Sequence, residues 1–353
     1  MKKELSKVSH LAIVAAMLCA PFGQALADAK AKDPIAFVSL RNGDAHIFIA
    51  DGAGHDQALT HGKSVNTQPA WAADGTRLAF TSNREGLTKI YLMDVDGSNL
   101  RRLSTDTRIE SAPSWAPDGS AVAYYSRSVD GADVDLRITE IASGKTVTIR
   151  GNGLDKGPEA AVWSNDSARL AFSGANEHGK TEIWIANRDG TEQREISSKV
   201  STRHKGHASI SPDGKQVVYV ADMRGSVAIV ATDLESGKST ILTEGIEAAH
   251  ENPRWSPDGK QIAFASSRDD PQGTRLDIFV MNADGSGARN LSRDPHEDFN
   301  PQWSADGSHV VFNSLRTGTA QLFSVELESG TTERITNNGS HDMEQSPRPL
   351  ALH

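Results

Sequence analysis

The chain has a single cysteine, Cys19, in 353 residues. An intramolecular disulfide and a multi-cysteine metal site are thereby excluded. A basic excess is also missing: 37 Lys and Arg stand against 46 Asp and Glu, a net charge of −9. Nucleic-acid and polybasic membrane surfaces need concentrated positive charge, so neither is expected. No apolar run approaches the roughly 20 residues of a transmembrane helix. The sequence contains no Gly-x-Ser-x-Gly elbow, no P-loop and no His-Glu-x-x-His, which removes three common routes to hydrolysis and phosphoryl transfer. An acidic balance suits a cationic partner or a divalent metal, although net charge says little about any one site.

Lys2, Lys3 and Lys7 precede the apolar run Leu11–Ala20, and Ala25-Leu26-Ala27 follows. A charged start, a short apolar core and small residues at an A-x-A site read as a secretory signal peptide, residues 1–27, cleaved after Ala27. Met17-Leu18 before Cys19 is unlike a lipoprotein junction, so Cys19 is expected to leave with the signal. The product is then expected to be soluble and periplasmic, and monomeric by default. Its mature part, 28–353, reads as one domain.

That domain is built from one repeated unit. Trp71-Ala-Ala-Asp-Gly75, Trp115-Ala-Pro-Asp-Gly119, Trp255-Ser-Pro-Asp-Gly259 and Trp303-Ser-Ala-Asp-Gly307 share a pattern. Ile210-Ser-Pro-Asp-Gly214 keeps the turn without the Trp, and Trp163-Ser-Asn-Asp-Ser167 keeps the Trp without the Gly. The anchors are spaced by 44, 48, 47, 45 and 48 residues, a period that belongs to propeller blades when the units are strands. Each unit holds a short strand ending at the Trp, a turn, an apolar strand such as Gln261-Ile-Ala-Phe264, and a third strand such as Asp277-Ile-Phe-Val-Met-Asn282. A second turn and a polar fourth strand finish it. Four strands make a blade.

Units start near 34, 67, 111, 159, 206, 251 and 299. The first lacks an initial strand, and the C-terminal segment 344–350 resembles Asn300-Pro-Gln-Trp303 without its Trp. The expected fold is therefore an all-β propeller of seven four-stranded blades, with the C-terminal strand completing the first. Six blades is the alternative, with the N-terminal strands outside the ring. The Trp anchors are expected to pack between blades, and the Asp-Gly pairs to form turns.

Pro253-Arg-Trp-Ser-Pro-Asp-Gly-Lys-Gln-Ile-Ala-Phe264 and Ile90-Tyr-Leu-Met-Asp-Val-Asp-Gly97, with a closing Leu-Thr or Leu-Ser, resemble the WD40-like (PD40) repeat of the TolB family. The resemblance covers about residues 34–350. It implies a propeller that binds an envelope protein or peptide, such as a Pal-like lipoprotein, through one face. With so short a stretch between the expected cleavage site and the first strand, the α/β domain that precedes the propeller in that family is not expected here, and the family's propeller has six blades. The same repeats occur in prolyl-oligopeptidase-type peptidases, whose hydrolase domain is not expected here.

The segments before the first strands are rich in His and acid, and a closed ring brings them to one channel mouth. The candidate binding residues are Asn66, Glu110, His204, His207, His250, Glu251, His296, Glu297, Asp298, His341, Asp342 and Glu344. Imidazoles and carboxylates on a concave surface have the chemistry to hold a divalent metal, with His207, His250, His296 and His341 as the candidates. No motif requires a cofactor. Oligogalacturonate lyases resemble this design in using a seven-bladed propeller with metal-bound His, which makes a metal-dependent polysaccharide lyase or a glycan-binding propeller the alternative. The leading expectation is a non-catalytic, protein-binding scaffold of the cell envelope.

Overall fold

A computed structural model describes residues 33–349, except 53, 132, 151–159, 177, 198–199, 201–203 and 224. The expected signal peptide and Cys19 lie outside the described residues. The strands form seven four-stranded antiparallel sheets, so the six-bladed alternative is not adopted. From the inside outward, blade 2 comprises Asn66–Trp71, Arg77–Ser82, Lys89–Asp94 and Arg101–Arg102. Blade 3 comprises Ile109–Trp115, Ala121–Arg127, Val134–Glu140 and Thr146–Arg150. Blade 4 comprises Val162–Trp163, Arg169–Ala175, Thr181–Asn187 and Arg194–Glu195. Blade 5 comprises Lys205–Ile210, Gln216–Asp222, Val227–Asp233 and Ser239–Ile241.

Blade 6 comprises His250–Trp255, Gln261–Ser266, Asp277–Asn282 and Arg289–Asn290. Blade 7 comprises Asp298–Trp303, His309–Ser314, Gln321–Glu326 and Thr332–Arg334. Blade 1 joins both ends of the chain: Asp342–Pro347 is its innermost strand, followed outward by Ile35–Ser39, His46–Ala50 and Asp56–Ala58. Each innermost strand touches those of the two adjacent blades, and the contacts close in a circle.

The repeat residues build each blade in the same way. Gly259 N–H donates to the Ser256 carbonyl at 2.9 Å, and Gly259 has φ 71°. Asp258 accepts from the Lys260 N–H and the Ser256 hydroxyl. A left-handed fourth residue after a type I turn explains the Gly, and the side-chain bonds explain the Asp. Ser167 replaces the Gly in blade 4 and still adopts φ 59°; its hydroxyl accepts the Asp118 N–H of blade 3 at 3.0 Å. In five blades the closing hydroxyl residue accepts from the same backbone position. Thr60, Ser197, Thr243, Ser292 and Thr336 accept the N–H of Ile47, Ile183, Ile229, Ile278 and Leu322 on the third strand.

The Trp anchors are wedges between blades, as expected. Trp71, Trp163 and Trp303 donate their indole N–H to the Ser346, Ser114 and Arg254 carbonyls of the preceding blade. The indole N–H of Trp115 and Trp255 has no such partner, so what the wedges share is the ring that fills the gap the blade twist opens.

The closing strand is Asp342–Pro347, displaced from the expected 344–350. Asp342 pairs with Ser39 and Pro347 with Ile35, and Pro349 offers no N–H to carry the ladder further. Without this strand the inner edge of Ile35–Ser39 has no partner. A chain ending at Ser340 is expected to lose its single cooperative denaturant transition, followed by Trp fluorescence. An unchanged transition would contradict closure by the C-terminal strand.

Candidate functional site

Six innermost strands carry the same irregularity. Gln68, Ala112, His207, Asn252, Asn300 and Glu344 all have φ between 50° and 56°. At each, the ladder skips: the register shifts between Thr67 and Ala70, for example, and between Glu251 and Arg254. These are β-bulges, which bend a strand and re-aim a side chain. Pro69, Pro113, Pro253 and Pro301 directly follow four of them, and a strand tolerates Pro at a bulge because the ladder N–H is already forfeited there.

The bulges are bonded to one another around the axis. Gln68 N–H donates to Glu344 Oε2 at 2.6 Å, and Gln68 Oε1 accepts from Ala112 N–H at 2.8 Å. Asn252 Nδ2 donates to Asn300 Oδ1 at 2.9 Å, and Gln345 Nε2 donates to the Asn300 carbonyl. Blades 6, 7, 1, 2 and 3 are thus linked through side chains at the channel wall. Glu344 reaches solvent yet is crowded by protein. Burial raises its carboxyl pKa, and the Gln68 N–H pulls the other way.

The head of each innermost strand behaves differently from the expected mouth. Asn66, Glu110, His250, Asp298 and Asp342 are wholly buried, and Lys205 occupies the same place in blade 5. They point into the joints between blades, where each meets the head of the preceding blade's third strand. Asn66 Nδ2 lies 3.3 Å from His46 Nδ1. Glu110 lies 3.4 Å from Lys89 and accepts from Ser104. Lys205 lies 2.6 Å from Glu182. Asn338 bridges Gln321 and Asp342, at 3.1 and 2.6 Å. Asp298 faces Asp277, and both carboxyls have raised pKa values, chiefly through burial.

A Ser-x-Arg sequence caps four of these joints. Arg41, Arg84, Arg268 and Arg316 lie over Phe48, Tyr91, Phe279 and Phe323 at 4.3, 4.6, 5.6 and 4.6 Å. Arg41, Arg84 and Arg316 also reach Asp342, Asn66 and Asp298 at 3.5, 2.8 and 3.0 Å. The cation gains both the ring face and an acceptor.

His250 breaks the pattern. By register its counterpart across the joint is Ala228, where other blades place His46, Lys89, Glu182 or Asp277. Neither His250 ring nitrogen has a hydrogen-bond partner; the ring packs edge-on to Phe264 at 5.7 Å.

The other candidates sit apart. His204, His296 and His341 are exposed, while Glu251 and Glu297 are half-buried. His296 Nδ1 bonds Asp294 at 2.8 Å, and His341 Nδ1 accepts from Ala320 N–H at 3.1 Å. Among the described residues, no three of His, Asp and Glu are placed to hold a metal ion. The four candidate histidines occupy a bulge, a buried joint and two exposed loops, so they are not brought to one point. Gln68, Asn252, Asn300 and Gln345 were not among the expected site residues. The Pro after three of them was the available signal.

Burial pushes the His250 pKa down to about 4, with the Arg268 charge adding to it. The unfolded imidazole titrates near ~6.5, so between these values the unfolded chain binds a proton that the folded chain does not. Stability contributed by neutral His250 is complete above ~6.5 and declines as pH falls toward about 4. The full loss is about 3 kcal/mol, and raised carboxyls such as Asp277 and Asp298 act in the opposite sense. His250→Asn, which copies Asn66 facing Arg84, is expected to be flatter than wild type in urea midpoints between pH 7 and 4.5. Parallel pH profiles would refute the assignment.

The TolB beta propeller domain (PD40) family matches residues 28–162, 110–251 and 245–350. A TolB homolog of Chlorobium luteolum is 28% identical over 304 residues, 86% of this chain and 64% of that protein. An uncharacterized Agrobacterium fabrum protein is 31% identical over 136 residues, 38% of this chain and 44% of its own length. In both, the match spans less than two thirds of the relative. Among solved structures, TolB from Acinetobacter baumannii superposes with a TM-score of 0.57 at 17% identity, covering 89% of this chain and 82% of that one. The oligogalacturonate lyase of Vibrio parahaemolyticus gives 0.63 at 14%, covering 88% and 87%. At such identities the structural likeness shows the fold alone, whereas the repeats matched along the sequence show that the chain belongs to the TolB β-propeller family.

Proposed function

We propose that this protein is an exported, periplasmic scaffold that binds a protein partner of the cell envelope at the channel mouth. The observation that carries the reading is the arc of bonded bulges across blades 6, 7, 1, 2 and 3. Gln68, Asn252, Asn300, Glu344 and Gln345 are held by neighbouring blades before any ligand arrives. Pre-organised amides and carboxylates reduce the ordering cost of binding a polypeptide loop. The bulges are strained positions for residues other than Gly, and strain kept at repeated wall positions fits a binding role. The relationship to a TolB homolog and the signal-like N terminus support the envelope assignment. His207, His250, His296 and His341 are the metal candidates of the lyase alternative, and no group of three metal-ligating side chains forms among the described residues.

The test is affinity capture of the mature protein from crosslinked periplasm, read by mass spectrometry, beside a Glu344→Lys variant. One envelope protein in near-stoichiometric amount is expected with wild type. Its purified complex should weaken at least ~10-fold in the variant, equivalent to about 1.4 kcal/mol. Capture of nothing above background, or equal affinity in the variant, would overturn the reading.

A further inference from the structure

The internal repeat supplies its own template for an unfilled site. The wedge position pairs with the second residue of the adjacent strand: Trp71 with Leu78, Trp115 with Val122, Trp255 with Ile262, Trp303 with Val310. In blade 1 the residue at that position is Pro347, paired with Ile35. The joint between blades 7 and 1 therefore has no indole. A cavity of about 330 Å³ lies there, lined by Pro347, Ile35, Val311, Ser324, Ile335 and Ser304 among others.

This lining is the environment of a wedge Trp. In the joint between blades 2 and 3, Trp115 packs with Ala72, Ala79, Leu92, Leu103 and Val122. By register these are the counterparts of Ser304, Val311, Ser324, Ile335 and Ile35. Ser304 in place of Ala72 and Ser324 in place of Leu92 make the blade 7 slot more polar than its template. Ser324 stands where the other blades have Ile49, Leu92, Ile138, Ile185, Ala231 and Val280. It is 3% exposed, and its hydroxyl has no hydrogen-bond partner. His309 stands where Arg77 lies 4.9 Å over the Trp115 ring. Asp33 and Asp306 line the mouth of the same cavity.

We propose that the joint between blades 7 and 1 is a small-molecule site for an indole-sized aromatic amine. The ring occupies the vacant wedge position, a polar ring atom meets the Ser324 hydroxyl, and the ammonium faces Asp33 and Asp306. The volume falls at the lower end of ordinary ligand pockets, and the mixture of apolar walls with a few polar groups is typical of them. Asp33 supports the choice of a cation: burial, then the Asp306 charge, raises its carboxyl pKa, so a cation is the charge the mouth favours. Arg348 and His309 offset part of that field. The site lies at the turn end of the strands, away from the buried heads of the joints, and does not depend on the channel reading.

Tryptamine is the probe, titrated against the mature protein by ligand-observed NMR, with indole and indole-3-acetate beside it. Saturable tryptamine binding with Kd at or below about 1 mM is expected. Indole should bind more weakly and indole-3-acetate weakest. Pro347→Trp restores the repeat and should raise the melting temperature while abolishing binding. Ser324→Leu copies Leu92 and should weaken binding at least ~10-fold with the fold intact. Absence of saturable wild-type binding, equal binding of the acetate, or unchanged binding in both variants would overturn the proposal.

Discussion

The structure depends on what fills the joints between blades. A blade twists, so adjacent blades diverge toward the rim and need side chains to occupy the opening. Two devices at different heights serve most of the joints. The Trp wedge closes the turn end, with its N–H spent on the preceding blade's carbonyl in Trp71, Trp163 and Trp303. A buried polar pair closes the other end in several joints, as Lys89 with Glu110 and Lys205 with Glu182. Buried ions are costly unless paired. The pairs therefore favour one neighbour for each blade, because a Lys head placed against another Lys would leave two uncompensated charges. Blades of similar sequence are given an order by this constraint.

Bulges then determine what the channel wall presents. An unbroken inner strand would alternate its side chains regularly between two faces. The extra residue at Gln68, Ala112, His207, Asn252, Asn300 and Glu344 interrupts that alternation. The heads of the strands can then point into the joints while the bulge residues bond their neighbours across the wall. Joint packing and channel-wall bonding are thus separated along one strand of six or seven residues.

The fold was legible because its signals are local and repeated. Trp, Pro, Asp and Gly at fixed offsets each have one backbone or packing task, and seven similar segments made the blade count and the shared first blade readable. The candidate site was less legible. From the sequence, Asn66, Glu110, His250, Asp298 and Asp342 read as mouth residues, because they fall where the first strands begin and a closed ring brings those segments together. All five are buried in the joints, and all but His250 have polar counterparts on the preceding blade; a counterpart some 20 residues away across a joint leaves no mark in local pattern. Asn252-Pro253 and Asn300-Pro301 did mark the bulges, but Pro beside a Trp anchor also reads as ordinary turn chemistry.

The exceptions to the repeat follow from the same constraint. Where the joint supplies an acceptor, an Arg lies over the aromatic pair and bonds the strand head, as Arg316 does with Asp298. Where the partner position holds Ala228, His250 is left neutral and unbonded, since burial disfavours its charged form and the Arg268 charge adds to that. Where Pro347 replaces the Trp, the chain closes its ring with a strand that must also end, and the indole volume is left as a cavity beside Ser324. A repeat protein constrains each joint only through its two neighbouring blades. One joint can therefore depart from the pattern while the others maintain the ring, which makes the irregular joints the places where this propeller can acquire chemistry of its own.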